Sequence, residues 1–442
     1  MDGTVSPGAA ASEVREALES AALVVGEPRL LHALGAPPSA RTVEIGDPHA
    51  ALEEIDIAQG RGQAVVVVAE GDPGFFGLVR ALRARGHTPR VLPALSPVAR
   101  AFARAGLPWD DALVVSVSDA ESLRRAVNVC RAHPKVAVLT APGAGPAELG
   151  RELFPQTPRS FIVCESLGGP DERVVNVRPA EATTRPWRNP EVVLVLDSRH
   201  AVGASRWLAG AAPGPPGWAL PAGAFAQDDA LRPDVLAFAL AKLGPRIGDM
   251  VWDIATGGAT GGATGGATGG ATGGATGGGA AGGSIAIECA RLGAAAVAVE
   301  RDDASCERVR DNVRAHEVRV AVARGEVPGV LDHLPVPDAV FVSGGGQGAV
   351  RACAARALRT AVIAVSEAAH VRPACEALTA EGFSAEAVRL QATRLAPFEE
   401  RPSDPVCLVW GERTEGRQAW RPQVPAPRRA ETIAELPEGP IG

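Results

Sequence analysis

The 442-residue chain contains no tyrosine and only two lysines, Lys135 and Lys242; almost all of its basic charge is arginine. Ala, Gly and Pro are abundant, the composition of a GC-rich coding sequence, so the arginine excess is not by itself a binding signal. The seven cysteines (Cys130, Cys164, Cys289, Cys306, Cys353, Cys375 and Cys407) are scattered and never spaced as C-x-x-C. That implies no disulfide framework or zinc site, and most of them are expected to be small buried hydrophobes. None of the eight histidines forms a metal-ligand pair. No apolar run reaches the ~20 residues of a membrane span. The start lacks a basic stretch followed by an apolar one, so no signal peptide is expected and the expected compartment is the cytoplasm. The net charge of −7 gives no global attraction to nucleic acid or acidic membranes. What remains is a chain long enough for two or three domains, 46% hydrophobic.

What the chain has in excess is one tetrapeptide. Ala-Thr-Gly-Gly occurs six times in tandem from Ala255 to Gly278. It follows the buried-strand pattern Met250 to Ile254 and precedes Gly279-Ala280-Ala281-Gly282-Gly283-Ser284, which opens the helical run Ile285 to Leu292. Without the repeat the segment reads as strand, glycine-rich turn and helix N-terminus, the construction that lets backbone N–H groups approach a nucleotide-like ligand. A second strand, Ala296 to Val299, ends in Glu300, where an acid commonly accepts hydrogen bonds from ribose hydroxyls. The repeat is read as an expansion inside a cofactor site. Closing a loop of that extra length costs about 3 kcal/mol, which a domain stable by about 5–15 kcal/mol absorbs. A Gly-rich coil of that length spans about 27 Å, so its ends still meet.

The chain reads as α/β in two series. The first, assigned to 1–200, has strands at Ala64–Ala69, Leu113–Val117, Val136–Thr140, Phe161–Cys164 and Val192–Asp197, with helices such as Ser12–Ala22 and Glu121–Ala132 between them. Residues 201–223, rich in Gly, Pro, Ala and Trp, read as a linker or domain entry. The second series, 224–413, has strands at Val251–Ile254, Ala296–Val299, Arg319–Ala323, Ala339–Val342, Thr360–Val365, Ala385–Leu390 and Val406–Trp410. It suits a doubly wound, Rossmann-like sheet whose last two strands, lacking a long helix between them, pair antiparallel. Residues 414–442 have no periodicity and read as a disordered tail.

The second series resembles the class I S-adenosylmethionine-dependent methyltransferases. Within them it is similar to the C-terminal domain of the precorrin-6Y C5,15-methyltransferase (decarboxylating) family of cobalamin biosynthesis. The residues that carry this are WALPAGAF from Trp218 to Phe225, Gly248 to Ile254, SIAIECARL from Ser284 to Leu292, VAVERD from Val297 to Asp302, and PDAVFVSGGG from Pro337 to Gly346. The first series resembles a tetrapyrrole-methylase domain through Gly71-Asp72-Pro73-Gly74-Phe75-Phe76-Gly77, Ala105 to Ala112 and Cys164 to Arg173. Two different methyltransferase halves in this order are specific where each motif alone is weak.

The resemblance implies two S-adenosylmethionine sites and a small-molecule tetrapyrrole substrate, methylated at C5 and C15 with decarboxylation of the C12 acetate. It implies no nucleic-acid or membrane partner and allows a homo-oligomer. In the first domain Gly71, Asp72, Pro73 and Ser96 are expected to line the cofactor site. In the second, Asp253 supports the glycine loop, Gly279 and Gly283 belong to that loop, Glu300 holds the ribose and Glu326 lies near the adenine. Gly344, Gly345 and Gly346 are expected where substrate enters, and Arg232, in a segment where the family carries Thr-Lys, is expected to contact substrate as well. The substrate's carboxylates call for arginine clamps that the sequence does not single out.

Three departures stand out: the repeat; the segment Asp228 to Asp234, with neither Thr nor Lys; and the start Met1-Asp2-Gly3, which suggests that a first strand is missing. Ala94 also stands at the glycine of a Pro-Gly-Val-Ser-type turn. Two other functions stay open. One is a folded but catalytically impaired homologue that binds tetrapyrrole or a partner. The other is an NAD-dependent dehydrogenase using the same glycine-loop logic, which the lack of a hydride-site constellation argues against.

Overall fold

The computed structural model describes residues 7–45, 48–69, 71–76, 78–153, 157–203, 207–226, 231–256, 283–344, 346–396 and 399–414. The chain divides into two compact units, Met1–Pro213 and Gly214–Gly442. The division falls inside the stretch read as linker. Its C-terminal part packs on the second unit: the Leu220 N–H donates to Glu288 Oε1 at 2.9 Å and Arg291 donates to the Gly217 carbonyl at 3.0 Å. The expected first strand ahead of Met1, most of the repeat and the tail beyond 414 lie outside the described residues.

The first unit holds two sheets. The smaller is parallel, with β1 (Leu23–Gly26) between β2 (Arg41–Glu44) and β3 (Val65–Val67). Around it lie α1 (Pro7–Glu19), α2 (Pro28–Leu34), α3 (Pro48–Gly60) and α4 (Leu78–Ala84). The helix expected over Ser12–Ala22 ends at Glu19, because Leu23–Gly26 is the fully buried central strand of this sheet and needs extended backbone.

The larger sheet has the order β4 (Leu113–Ser116), β5 (Lys135–Leu139), β8 (Pro190–Leu196), β6 (Ser160–Glu165), β7 (Arg173–Val177). Its helices are α5 (Pro97–Ala105), α6 (Ala120–Ala132), α7 (Pro146–Leu153) and α8 (Pro179–Thr184). β4 and β5 are parallel and joined through α6, while β8 is antiparallel to both its neighbours. Alternation along β8 splits one apolar run between two cores. Val193 and Val195 face the cluster with Val127, Leu149 and Phe161, whereas Val192, Leu194 and Leu196 face the cluster with Val98, Phe102 and Cys164. One of the two lysines is fully buried here: Lys135 Nζ lies 2.5 Å from Asp111 Oδ1 and 2.9 Å from the Pro108 carbonyl.

The second unit is built on a seven-stranded sheet. Its strands in chain order are β9 (Met250–Ala255), β10 (Ala295–Glu300), β11 (Val320–Arg324), β12 (Ala339–Ser343), β13 (Thr360–Val365), β14 (Phe383–Leu390) and β17 (Val406–Arg413). The small hairpin β15 (Thr393–Ala396) and β16 (Glu399–Pro402) stands apart from it. The helices are α9 (Pro233–Leu243), α10 (Ser284–Arg291), α11 (Asp303–Ala315), α12 (Gln347–Arg356) and α13 (Val371–Ala380). The spatial order is β11-β10-β9-β12-β13-β17-β14, with the first five strands parallel and β17 antiparallel to β13 and β14, as expected from the missing helix. The strand order reverses at β9: the chain first builds outward through β10 and β11, then returns to lay β12 on β9's other side. Ligands of doubly wound sheets bind at the carboxyl ends of strands at such a reversal. The opposite end is fastened by charge. The Met250 N–H donates to Asp338 Oδ2 at 2.7 Å, and Arg359 binds Asp249 at 2.7 Å.

Candidate functional site

In the first unit, β3 leads into Gly71-Asp72-Pro73. Gly71 has φ +70°, and a Cβ there would lie 2.5 Å from Pro97 Cδ, so glycine is required by conformation and by space. Asp72 turns its carboxylate back into the loop, where Oδ1 accepts from the Gly74 N–H at 2.8 Å. Its carbonyl accepts from the Phe75 N–H at 3.1 Å, which completes a tight turn. Opposite, Ser96 is the N-cap of α5, its Oγ accepting from the Ala99 N–H at 3.1 Å. The Ser96 hydroxyl is thus engaged with the helix, and the cap holds Pro97 against Gly71. Gly71, Pro73 and Pro97 line a cavity of about 870 Å³, together with Val66, Val68 and Leu95 and with Arg100, Leu167 and Glu191 from the larger sheet's side. That size lies within the ~300–1,000 Å³ of small-molecule sites. Among the described residues the non-glycine positions with positive φ are Phe76, Ser166, Ala219 and Glu317, so Ala94 has no left-handed geometry to strain. A second cavity of about 650 Å³ shares Pro97 and Glu191 with the first and reaches along Thr140, Gly143 and Arg185 to Asn189.

In the second unit, Asp253 lies in β9 with its side chain under the start of α10. It is buried, and Oδ2 accepts from the Ala286 N–H at 3.0 Å. Desolvation pushes its carboxyl up to about 6, while hydrogen bonds from the Ala286 and Ile285 amides act in the opposite sense. The positive end of the helix therefore sits on a buried acid. Gly283, immediately before the helix, has φ +71°, and a Cβ on it would lie 2.7 Å from Val309 Cγ1, so α10 and α11 approach only because this residue is glycine. Glu300 ends β10 and is buried, with its carbonyl accepting from the Gly325 N–H at 2.9 Å.

The carboxyl ends of β9 and β12 meet. Thr256 Oγ1 donates to the Ser343 carbonyl at 3.0 Å, and a Cβ on Gly344 (φ +72°) would lie 3.2 Å from Thr256 Oγ1. Gly346 caps α12. Gly279 and Gly345 fall outside the described residues. Two expected residues are otherwise engaged. Glu326 is exposed and ion-paired with Arg301 at 2.7 Å. The Arg232 guanidinium grips Asp234 with two hydrogen bonds, at 2.7 and 3.2 Å, and donates to the Asp404 carbonyl.

The structure therefore brings Gly71 and Pro73 to the wall of one cavity, with Asp72 folded back into the same turn and Ser96 capping the helix beside Pro97. It gathers Asp253, Gly283, Glu300 and Gly344 at the carboxyl edge of the second sheet. Sequence reasoning missed Leu167, Glu191 and the Thr140–Pro146 stretch of the first unit. The signal for that stretch was present, because Thr140-Ala141-Pro142-Gly143-Ala144-Gly145-Pro146 is a glycine- and proline-rich strand exit like that after β3.

Two family models match separate parts of the chain. Residues 3–183 match the family of tetrapyrrole (corrin/porphyrin) methylases. A cobalt-precorrin-7 C(5)-methyltransferase from Salmonella typhimurium is 32% identical over 148 residues, covering 32% of this chain and 71% of that protein. The chain belongs to the tetrapyrrole methylases. Residues 277–401 match a second family, the precorrin methyltransferase domain. A precorrin-6Y C(5,15)-methyltransferase [decarboxylating] from Sinorhizobium is 30% identical over 313 residues and 66% of this chain. The chain spans 65% of the length of that relative. A solved C-terminal domain of precorrin-6Y C5,15-methyltransferase from Rhodobacter capsulatus is 22% identical over 44% of this chain and 98% of its own, with a TM-score of 0.35. Among the described residues no helix of this tetrapyrrole methylase is long and apolar enough to cross a membrane.

Proposed function

We propose that the chain transfers two methyl groups from S-adenosylmethionine to C5 and C15 of precorrin-6Y, with loss of the C12 acetate carboxyl as carbon dioxide. The observation that carries this reading is the succession, in one chain, of a tetrapyrrole-methylase match over 3–183 and a precorrin-methyltransferase match over 277–401. Each falls on a unit with its own glycine-dependent strand exit. The residues fit the cofactor. In the first unit the close approach at Gly71 and the adjoining volume suit an adenosyl group lying along Gly71-Asp72-Pro73 and the Ser96–Pro97 turn. In the second, Asp253 fixes the start of α10, and Glu300 stands at the next strand end, where a ribose is held. S-adenosylmethionine supplies an electrophilic methyl on a sulfonium. The residues named above would hold that methyl in line with each ring carbon, with S-adenosylhomocysteine as the leaving group and the displaced ring proton passing to solvent. The chain's part is to position and to exclude water rather than to move protons. The protein works in the cytoplasm on a small-molecule tetrapyrrole, without nucleic acid.

One observation favours a second reading, a homologue with only one working centre. Arg232, where the family has Thr-Lys, is turned onto Asp234 and the Asp404 carbonyl. Incubation of the full chain with S-adenosylmethionine and precorrin-6Y, followed by mass spectrometry, separates the two. Two methyl gains with carbon dioxide release support the first reading. One gain without decarboxylation supports the second, and none overturns both. Calorimetric titration of S-adenosylhomocysteine, with and without the six repeats, then counts donor sites.

A further inference from the structure

We infer that the second cavity of the first unit holds the carboxylate-bearing edge of the acceptor, with Arg185 and Arg188 as its anion clamp. The inference rests on the reading above, that the acceptor is a tetrapyrrole polycarboxylate. The cavity, of about 650 Å³, shares Pro97 and Glu191 with the cavity assigned to the methyl donor, so a molecule bound in one is next to a molecule bound in the other. Arg185 and Arg188 line it, and both are exposed. Neither guanidinium has a carboxylate partner among the described residues, whereas Arg104, Arg124 and Arg151 of the same unit are all ion-paired. Two guanidiniums without counter-charge at one rim are a site for anions.

These arginines are also held in place. Between them, Trp187 is half-buried against the core of the larger sheet, and its indole N–H donates to the Ala182 carbonyl at 3.0 Å. The Arg185 guanidinium lies 5.4 Å from the centre of that ring, close enough for cation–π attraction. The backbone carrying Arg188 is fixed from inside. Glu165, only 3% exposed, accepts from the Arg188 N–H at 2.7 Å and from the Asn189 N–H at 3.3 Å, and faces Arg173 at 3.5 Å. A buried acid thus presents the segment, and an aromatic face orients one of its cations. The two acids on the cavity wall are already engaged. Glu148 binds Arg151 at 2.9 Å and accepts from the Gly145 N–H at 3.0 Å. Glu191 accepts from the Leu167 N–H at 3.2 Å and from the Asn189 side-chain amide at 3.3 Å. The amides leave Glu191 its negative charge, but two guanidiniums outweigh it and the rim is net positive; the planar fork of arginine matches acetate and propionate groups.

The test uses the full chain and uroporphyrin, a stable octacarboxylate, as probe. Wild type should bind it with an affinity that falls as salt rises. The double variant Arg185→Gln/Arg188→Gln should bind at least about tenfold more weakly, the equivalent of one charge-assisted pair. Arg185→Lys/Arg188→Lys should fall between them. Arg199→Gln, an exposed arginine of the same unit away from the cavity, should bind as wild type does. S-adenosylhomocysteine affinity, measured on the same samples, should be unchanged in all of them. With precorrin-6Y the double variant should raise KM and leave kcat in place. No uroporphyrin binding by wild type, undiminished binding by the double variant, or an equal loss in Arg199→Gln overturns the inference. If the double variant also loses S-adenosylhomocysteine, the single variants decide, and wild-type porphyrin binding by both overturns it. Failure of the proposed reaction registers separately, as absent methyl transfer while the porphyrin measurements stand.

Discussion

The two units fix a glycine-dependent strand exit by opposite means. In the first, the exit is fixed by shape: Gly71 touches Pro97 so closely that no side chain fits, and Pro73 and the Ser96 cap stiffen both sides. In the second, the exit is fixed by charge: the buried Asp253 carboxylate holds the first amides of α10. Steric fixation needs a short loop, since contact must be made within a few residues of the strand. Electrostatic fixation acts across the link and tolerates any length of chain between its ends. It is the second unit that carries the repeat.

Substitutions can break each side separately. Gly71→Val should have the largest effect. It adds a positive-φ penalty to the Pro97 clash, costs about 3 kcal/mol or more, and leaves one S-adenosylhomocysteine equivalent where wild type binds two, counted by calorimetry. Asp253→Asn sharpens the charge side through pH. The folded carboxyl, at about 6, lies above its ordinary 3.8. Its proton therefore stabilises the fold fully below pH 3.8, and that contribution is lost as pH rises through about 6. Over that window wild type should lose about 2–3 kcal/mol relative to the variant, at ~1.4 kcal/mol per unit, read from urea unfolding at stepped pH. Flat, parallel curves would break the comparison. Gly283→Ala should cost about 1–2 kcal/mol in the same assay, because its methyl meets Val309 and its φ is left-handed. Glu326→Ala should change stability and donor affinity least, by a few tenths of a kcal/mol, since its partner Arg301 is a solvated one.

The sequence disclosed those elements whose burial imposes a pattern. β12, β13 and the Val192–Leu196 part of β8 are covered on both faces and read as apolar runs, and β9 does so around the single buried Asp253. β2 and β7 escaped notice. Both are edge strands, Arg41-Thr42-Val43-Glu44 mostly exposed and Arg173 to Val177 partly so, and little in their composition separates them from loop. β1 is four residues long and follows an Ala-rich helix whose pattern runs into it. At the site, the glycines were legible and their partners were not. Pro97 lies 26 positions from Gly71 and Val309 lies 26 from Gly283, and only the fold pairs them. Arg232 shows the converse: its partner Asp234 is only two residues away, yet nothing in the local pattern declared that ion pair. The Arg185–Arg188 cluster takes its meaning from Glu165 and Arg173, on strands whose pairing no local pattern declares.

The anchoring of β9 and α10 has a genetic consequence. Thr256 is tied to the Ser343 carbonyl on one side, and the Asp253–Ala286 bond ties the helix on the other. A tandem DNA repeat that slips during replication between these two posts adds or removes whole four-residue units without shifting strand or helix. The two posts thus hold the ends of the insertion in one place whatever the number of copies between them.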